Sequence, residues 1–226
     1  MKLPLLLVNF KAYSEAIGDD ALKMAKLCEV IAEEYGVNIG VVPQDVDIYR
    51  ITSKVSIPVF AQGIDPIEPG AHTGHKLGEA IKEAGAIGTL INHSENRLTL
   101  EEIGKCIKIA KRLGLISVCC IPDESMVEKI VVFKPEFVAY EEPELIGTGR
   151  AISKVRPESV RRFAEKVTES GLWPLCGAGI SSGEDVRVAI ELGAVGVIVA
   201  SAIVRSKDPR AVLEGMAGAL KNSRKV

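Results

Sequence analysis

Lys11, His93 and Glu141 each stand just past a short apolar run of the chain, and together they could do proton-transfer chemistry on a carbonyl compound. A carboxylate can take a proton from carbon, an imidazole can polarise the adjacent carbonyl, and an ammonium can offset the negative charge that develops. Asn9 lies two residues before the lysine, and glycine-bearing segments, Gly147-Thr148-Gly149 and Gly177-Ala178-Gly179, follow later runs. Backbone amides in such segments, helped by a helix N-terminus, can hold a phosphate. The set suits enolisation of a small phosphorylated carbonyl compound, and it also fits several other reactions. Singly, each member has a plainer reading: a solvated lysine, a satisfied loop histidine, a surface acidic pair of Glu141 and Glu142, an ordinary Gly-Thr-Gly turn. Their common location after different runs argues against coincidence.

Such residues converge only if the runs are strands ending at one mouth. Apolar, β-rich runs recur near residues 5–8, 39–42, 59–61, 89–91, 116–120, 137–140, 173–176 and 195–200. Several are apolar on both alternating faces, as strands covered on both sides require. Helical stripes separate them: Ala21, Met24, Cys28, Ile31 and Tyr35 form one, and Ile103, Ile107, Ala110 and Leu113 another. Gly36 and Gly114 suit left-handed caps, Thr99 with Glu102 resembles a capping box, and Pro157 fits a first helical turn. Strand-then-helix units with no Pro/Ser-rich linker predict one α/β domain over residues 1–226, a closed (β/α)8 barrel of eight parallel strands surrounded by helices. The alternative is an open doubly wound sheet, but no GxGxxG follows the first run. In the barrel, the loops after the strands carry the active site.

Lys and Arg total 28 against 30 Asp and Glu, so no overall positive field favours nucleic acid or an anionic membrane surface. The apolar start resembles a signal peptide only superficially: it is short, carries Pro4, lacks a small-residue cleavage site and leads directly into Asn9 and Lys11. No stretch approaches the ~18 consecutive apolar residues of a membrane span. Cys28, Cys106, Cys119, Cys120 and Cys176 are an odd set without CxxC spacing, read as reduced thiols of a cytoplasmic protein, mostly small buried hydrophobes. His72 and His75 lack an accompanying carboxylate or cysteine cluster for a metal and read as surface residues. Trp173 reads as packing at the start of the seventh strand, and Lys221 to Lys225 as a solvated, frayed end.

Along nearly its whole length the sequence resembles the triosephosphate isomerase family. Asn9-Phe10-Lys11 matches its Asn-x-Lys, Asn92-His93-Ser94-Glu95 matches its His-Ser-Glu signature, and Ala139-Tyr140-Glu141 through Ile146-Gly147-Thr148-Gly149 matches its catalytic glutamate and mobile loop. The resemblance implies reversible interconversion of dihydroxyacetone phosphate and glyceraldehyde 3-phosphate through an enediolate, a step of both glycolysis and gluconeogenesis needing no metal or cofactor. Glu141 would be the base, His93 the electrophile and Lys11 the counter-charge. Glu95 would hold Lys11, and Ser94 would cap backbone amides or serve the site. Asn9 would orient the substrate oxygens, and Phe10 would share in binding. The loop from Glu142 to Ile152 would close, bringing Ile146 and Gly147 to the phosphate, and Gly179, Ala200 and Ser201 would supply amides.

The short chain resembles the archaeal form of the family, which implies a homo-oligomer, at least a dimer and plausibly a tetramer. Gly70-Ala71-His72-Thr73-Gly74 would be the segment that crosses to a neighbouring subunit, with an exposed loop as its plainer reading. Three departures stand out: Glu142-Pro143-Glu144 in place of a Pro-x-Trp hinge, Ala200-Ser201 in place of paired glycines, and Asn96 in place of an arginine. A Schiff-base aldolase, a biosynthetic lyase or a catalytically idle sugar-phosphate-binding barrel are the competing functions for the same architecture.

Overall fold

The computed structural model of the protein describes residues 3–142, 144 and 151–223. The expectations for Ile146, Gly147 and Gly147-Thr148-Gly149 therefore lie outside the described residues, as does the end of the Lys221 to Lys225 stretch.

The apolar runs form parallel strands β1 (Leu5–Asn9), β2 (Asn38–Val42), β3 (Phe60–Ala61), β4 (Gly88–Ile91), β5 (Ile116–Ile121), β6 (Phe137–Tyr140), β7 (Trp173–Cys176) and β8 (Gly196–Val199). Their order in the eight-stranded sheet is β2-β1-β8-β7-β6-β5-β4-β3, which runs round in sequence without reversing. The seam between β2 and β3 is joined by a parallel bridge from Val41 to Val59, with the Val41 amide donating to the Pro58 carbonyl at 2.9 Å. The sheet closes through that bridge, so the architecture is the (β/α)8 barrel and not an open sheet with a switch point. β3 is one residue shorter than its apolar run because Val59 pairs with β2 only through the isolated bridge to Val41. β8 likewise stops one residue short of its run at each end.

Helices α1 (Asp19–Tyr35), α2 (Ile48–Thr52), α3 (Gly78–Glu83), α4 (Leu100–Leu113), α5 (Val127–Val131), α6 (Ile152–Val155), α7 (Pro157–Glu169), α8 (Gly183–Glu191), α9 (Ser201–Val204) and α10 (Pro209–Ser223) lie between and after the strands. The stripe of α1 buries Ala21, Met24, Cys28 and Ile31, and the helix ends on Gly36 at φ 66°. α4 starts with the Thr99–Glu102 capping box and ends on Gly114 at φ 64°. α7 starts on Pro157, whose missing amide would have had no helical acceptor there. Lys221 belongs to α10, which continues to Ser223.

Period-two alternation divides the core in two. Leu5, Leu7, Val42, Phe60, Leu90, Val118, Cys120, Phe137, Ala139, Leu175 and Ile198 fill the barrel interior. Leu6, Val8, Ile39, Val41, Ile91, Cys119, Val138, Tyr140, Cys176 and Val197 face the helices. Burying each large aliphatic side chain is worth roughly 1.5–3 kcal/mol, which explains why the strands are apolar on both faces. The interior alternates large with small: a Cβ on Gly88 would come within 2.4 Å of the Phe60 ring and 2.6 Å of the Ile116 carbonyl oxygen. All five cysteines are buried and free. Trp173 departs from expectation: it starts β7 but is 48% exposed and packs little. No helix among the described residues is long and apolar enough to cross a membrane.

Candidate active site

Strand parity aims the polar residues. Continuing the inward positions 5 and 7 of β1 gives Asn9, 137 and 139 of β6 give Glu141, 175 of β7 gives Gly177, and 198 of β8 gives Ala200. Asn9, Lys11, His93, Glu141, Gly179, Ala200 and Ser201 all line one cavity of about 300 Å³ at the C-terminal mouth of the barrel. That size is at the low end for small-molecule sites. Phe10 is not among the lining residues. Its side chain is fully buried in the helix-facing core, and its amide donates to the Val42 carbonyl at 3.0 Å, so it anchors the turn from outside the mouth.

The backbone makes a sharp turn after β1. Lys11 holds φ 48°, a left-handed conformation, and its amide donates to Asn9 Oδ1 at 2.9 Å. Gln62 Nε2 donates to the Lys11 carbonyl at 2.8 Å. These bonds bury the lysine stem, and Lys11 Nζ meets Glu95 Oε1 at 2.7 Å. The ammonium therefore enters the cavity already paired with a carboxylate that is itself half in water.

A second turn presents the histidine. Asn92 is left-handed at φ 61°; its Nδ2 donates to the Cys120 carbonyl at 2.8 Å and its Oδ1 accepts the Leu98 amide at 2.9 Å. Arg97 Nη1 donates to the Asn92 carbonyl at 3.2 Å. His93 Nδ1 then accepts the Glu95 amide at 3.2 Å. With Nδ1 an acceptor, the ring proton of the neutral imidazole sits on Nε2, which faces Glu141 Oε2 at 3.5 Å. Ser94, read as a cap or a site residue, has a buried Oγ with no hydrogen-bond partner among the described residues.

Glu141 is 4% exposed, and its Oε2 has no hydrogen-bond partner among the described residues. Its amide donates to Ile121 at 2.9 Å and the Gly177 amide donates to Tyr140 at 2.9 Å, so β5, β6 and β7 fix the carboxylate's root. Glu142 is not the surface residue that an acidic pair suggests. It is buried, with Arg156 Nη2 at 2.8 Å from Oε1. Nearby thiols are inert: burial, then the charge of Glu141, pushes Cys176 up to about 12 and Cys120 well above its ordinary value.

The far end of the cavity is backbone. Ala178 at φ 53° and Gly179 at φ 73° make a left-handed turn after β7, and Ser201 opens α9 after β8. The first amides of a helix have no acceptor within it, so this end is rich in donors for an anion.

A family model described as triosephosphate isomerase matches residues 4–216. The chain belongs to the triosephosphate isomerase family. It is 49% identical over 218 residues to the triosephosphate isomerase of Methanosarcina barkeri, covering 96% of this chain and 98% of that one. It is 50% identical to that of Methanobacterium bryantii, covering 93% and 94%, and 48% identical to that of Methanocaldococcus jannaschii, covering 90% and 94%. The fold is shared with the crystal structure of triosephosphate isomerase from Bartonella henselae, with a TM-score of 0.77 at 14% identity over 96% of this chain and 98% of that one.

Within this family member, Gln62 and Asp185 bear on the site although the sequence reading gave them no functional weight, while Gly177 was read only as part of a phosphate-holding glycine segment. Gln62 follows β3 at the same mouth, and that position was its signal. Asn92 was visible only as the residue before His93, and a non-glycine left-handed residue cannot be read from composition.

Proposed function

We propose that Glu141, His93 and Lys11 carry out the family's isomerisation of dihydroxyacetone phosphate and glyceraldehyde 3-phosphate in a single barrel domain spanning the chain. The observation that carries the assignment is the buried Glu141 Oε2, which has no hydrogen-bond partner among the described residues and faces His93 Nε2 at 3.5 Å across the mouth. A buried carboxylate oxygen without a partner is costly unless a ligand or its proton completes it.

With dihydroxyacetone phosphate bound, Glu141 takes a proton from the hydroxymethyl carbon. The electron pair left behind forms the carbon–carbon double bond, and the carbonyl oxygen gains negative charge. His93 Nε2–H and Lys11 Nζ stabilise that oxygen, and Asn9 orients it. A proton moves between the two oxygens with His93 as intermediary, and Glu141 then returns its proton to the neighbouring carbon to give glyceraldehyde 3-phosphate. No net proton, electron or co-reactant is consumed. Gly179, Ala200 and Ser201 hold the phosphate, with Ile146 and Gly147 assigned to it by the family resemblance alone.

The same reading makes the protein a cytoplasmic homo-oligomer, at least a dimer, with a tetramer as the larger assembly open to the short form. Exposure of residues 68–75, including Thr73, and of Val46 (84%) and Tyr49 (71%) supports a subunit contact there. Light scattering checks it, and a monomer would remove this part of the reading.

The deciding experiment compares wild type with Glu141→Gln in converting glyceraldehyde 3-phosphate. Fast wild-type conversion that drops by roughly 10²–10⁴ in the variant, with unchanged folding, is expected. Equal rates discard Glu141 as the base. Absence of turnover in folded wild type discards the activity, and borohydride trapping then tests the Schiff-base alternative.

A further inference from the structure

Asp185 sits behind the phosphate end of the cavity, 3% exposed, and both its oxygens are used. Oδ2 accepts the Ser181 amide at 2.9 Å, the Ser181 hydroxyl at 3.0 Å and the Ser182 amide at 3.0 Å. Oδ1 meets Lys154 Nζ at 2.6 Å. The Ser182 hydroxyl accepts the Asp185 amide at 3.3 Å, closing a capping box at the start of α8. A plain helix cap needs only that last exchange. Here the same carboxylate also gathers Ser181, a cavity-lining residue next to Gly179 and Ile180, and reaches across to α6.

A second link runs beside the ion pair. The Ile152 amide donates to the Ala178 carbonyl at 3.2 Å, and Ala178 is the left-handed residue of the turn. α6 therefore holds residues 177–182 at two points, one through backbone and one through Lys154 and Asp185.

We propose that Asp185 and Lys154 are positioning residues for phosphate binding, fixing the Gly177–Ser182 turn so that its cavity-lining backbone at Gly179 and Ile180 faces the ligand. The proposal rests on the isomerase reading for the identity of the ligand. Neither side chain lines the cavity. Burial alone would raise the Asp185 carboxyl, but Lys154 and the Ser181 donors outweigh it and hold it below the ordinary carboxylate value. It stays ionised through the neutral range, and the turn with it.

The test uses full-length Lys154→Met, Lys154→Arg and Asp185→Asn, with kcat and KM for glyceraldehyde 3-phosphate and calorimetric binding of glycerol 3-phosphate as an unreactive phosphate ligand. Lys154→Met and Asp185→Asn should raise KM and the glycerol 3-phosphate dissociation constant together by about tenfold, the effect of losing one or two charge-assisted hydrogen bonds. kcat should stay within about threefold, and Lys154→Arg should restore binding. A variant that melts earlier but binds glycerol 3-phosphate normally overturns the proposal, because the pair is then only structural. A fall in kcat with unchanged KM overturns it too. Should Asp185→Asn fail to fold, the two Lys154 variants decide. Wild type that binds glycerol 3-phosphate but turns nothing over sinks the isomerase reading, and the binding series still decides the role of the pair.

Discussion

Replacing Gly177 with alanine should cripple turnover while sparing the fold. Gly177 and Glu141 are neighbours across β6 and β7, both pointing into the barrel, and a Cβ on Gly177 would lie 2.6 Å from Glu141 Cγ, 3.1 Å from Oε1 and 3.3 Å from Cδ. Carbon atoms in good contact sit about 3.5–4.0 Å apart, so the glutamate stem must retreat by roughly an ångström. The obstacle is the buried stem of Glu141, while the backbone at Gly177 does not need positive φ and accepts alanine. The cost in stability is therefore that of ordinary overpacking, about 1–3 kcal/mol.

Catalysis has less tolerance. Displacing a reacting group by about 1 Å can cost on the order of 10²-fold in rate, because the carboxylate no longer meets the carbon-bound proton in line. We expect Gly177→Ala to lower kcat by roughly 10–10² with little change in KM, since Gly177, like Ser182 and unlike the rest of the turn, does not itself line the cavity. The assay is initial-rate conversion of glyceraldehyde 3-phosphate alongside thermal unfolding. Wild-type kcat in a folded Gly177→Ala would refute the claim that this glycine exists to seat the base. A large loss of melting temperature would show instead that the barrel wall, not the glutamate, gave way.

Other outcomes are open to measurement. Asn92→Ala should destabilise by about 2–4 kcal/mol, losing two buried hydrogen bonds and keeping a left-handed backbone, whereas Asn92→Gly relieves the backbone part and should be milder; equal unfolding midpoints would contradict this. Arg156→Met leaves the Glu142 carboxylate buried without its cation and should cost about 1–2 kcal/mol, discounted because the arginine is half exposed. Adding Glu142→Gln should recover most of that loss, and additivity in urea titrations would show that the two do not interact. Burial holds Cys28, Cys106, Cys119 and Cys176 protonated up to about 12 in the fold, against about 9.0 for a free thiol. The unfolded chain thus releases these protons first, and stability should be intact below pH 9 and fall as pH rises toward 12. A flat stability profile over that window would remove the effect.

Strands and principal helices were legible because burial on both faces writes an apolar run and helix ends write their own caps. Gly36, Gly114, Thr99 and Pro157 all do in the structure what their types require. The gathering of Lys11, His93 and Glu141 at one mouth was legible because each stands just past the end of an apolar run, and the structure brings all three to one cavity. Phe10 shows the limit. Sitting inside the Asn-x-Lys motif made it a binding residue on paper, yet parity turns it toward the helices. Glu142 fails in the opposite direction, because a charged residue in a charged pair reads as solvated until Arg156 is brought to it from the far side of residues 143–150.

What could not be read is the layer that acts through shape and backbone. Gly177 matters for the atoms it lacks, Asn92 for a φ that its amide tolerates, and Asp185 for donors gathered by a turn. These devices also differ between the two ends of the cavity. At the carbonyl end, left-handed Lys11 and Asn92 and a small neighbour at 177 fix side chains one at a time. At the phosphate end one buried carboxylate organises a whole turn and ties it to α6. Damage at the first end should then appear in kcat and damage at the second in KM. A Gly177→Ala, Lys154→Met double variant supplies the test: independent ends predict that the two losses multiply. A double variant no worse in kcat/KM than the poorer single one would mean that the ends form one cooperative unit.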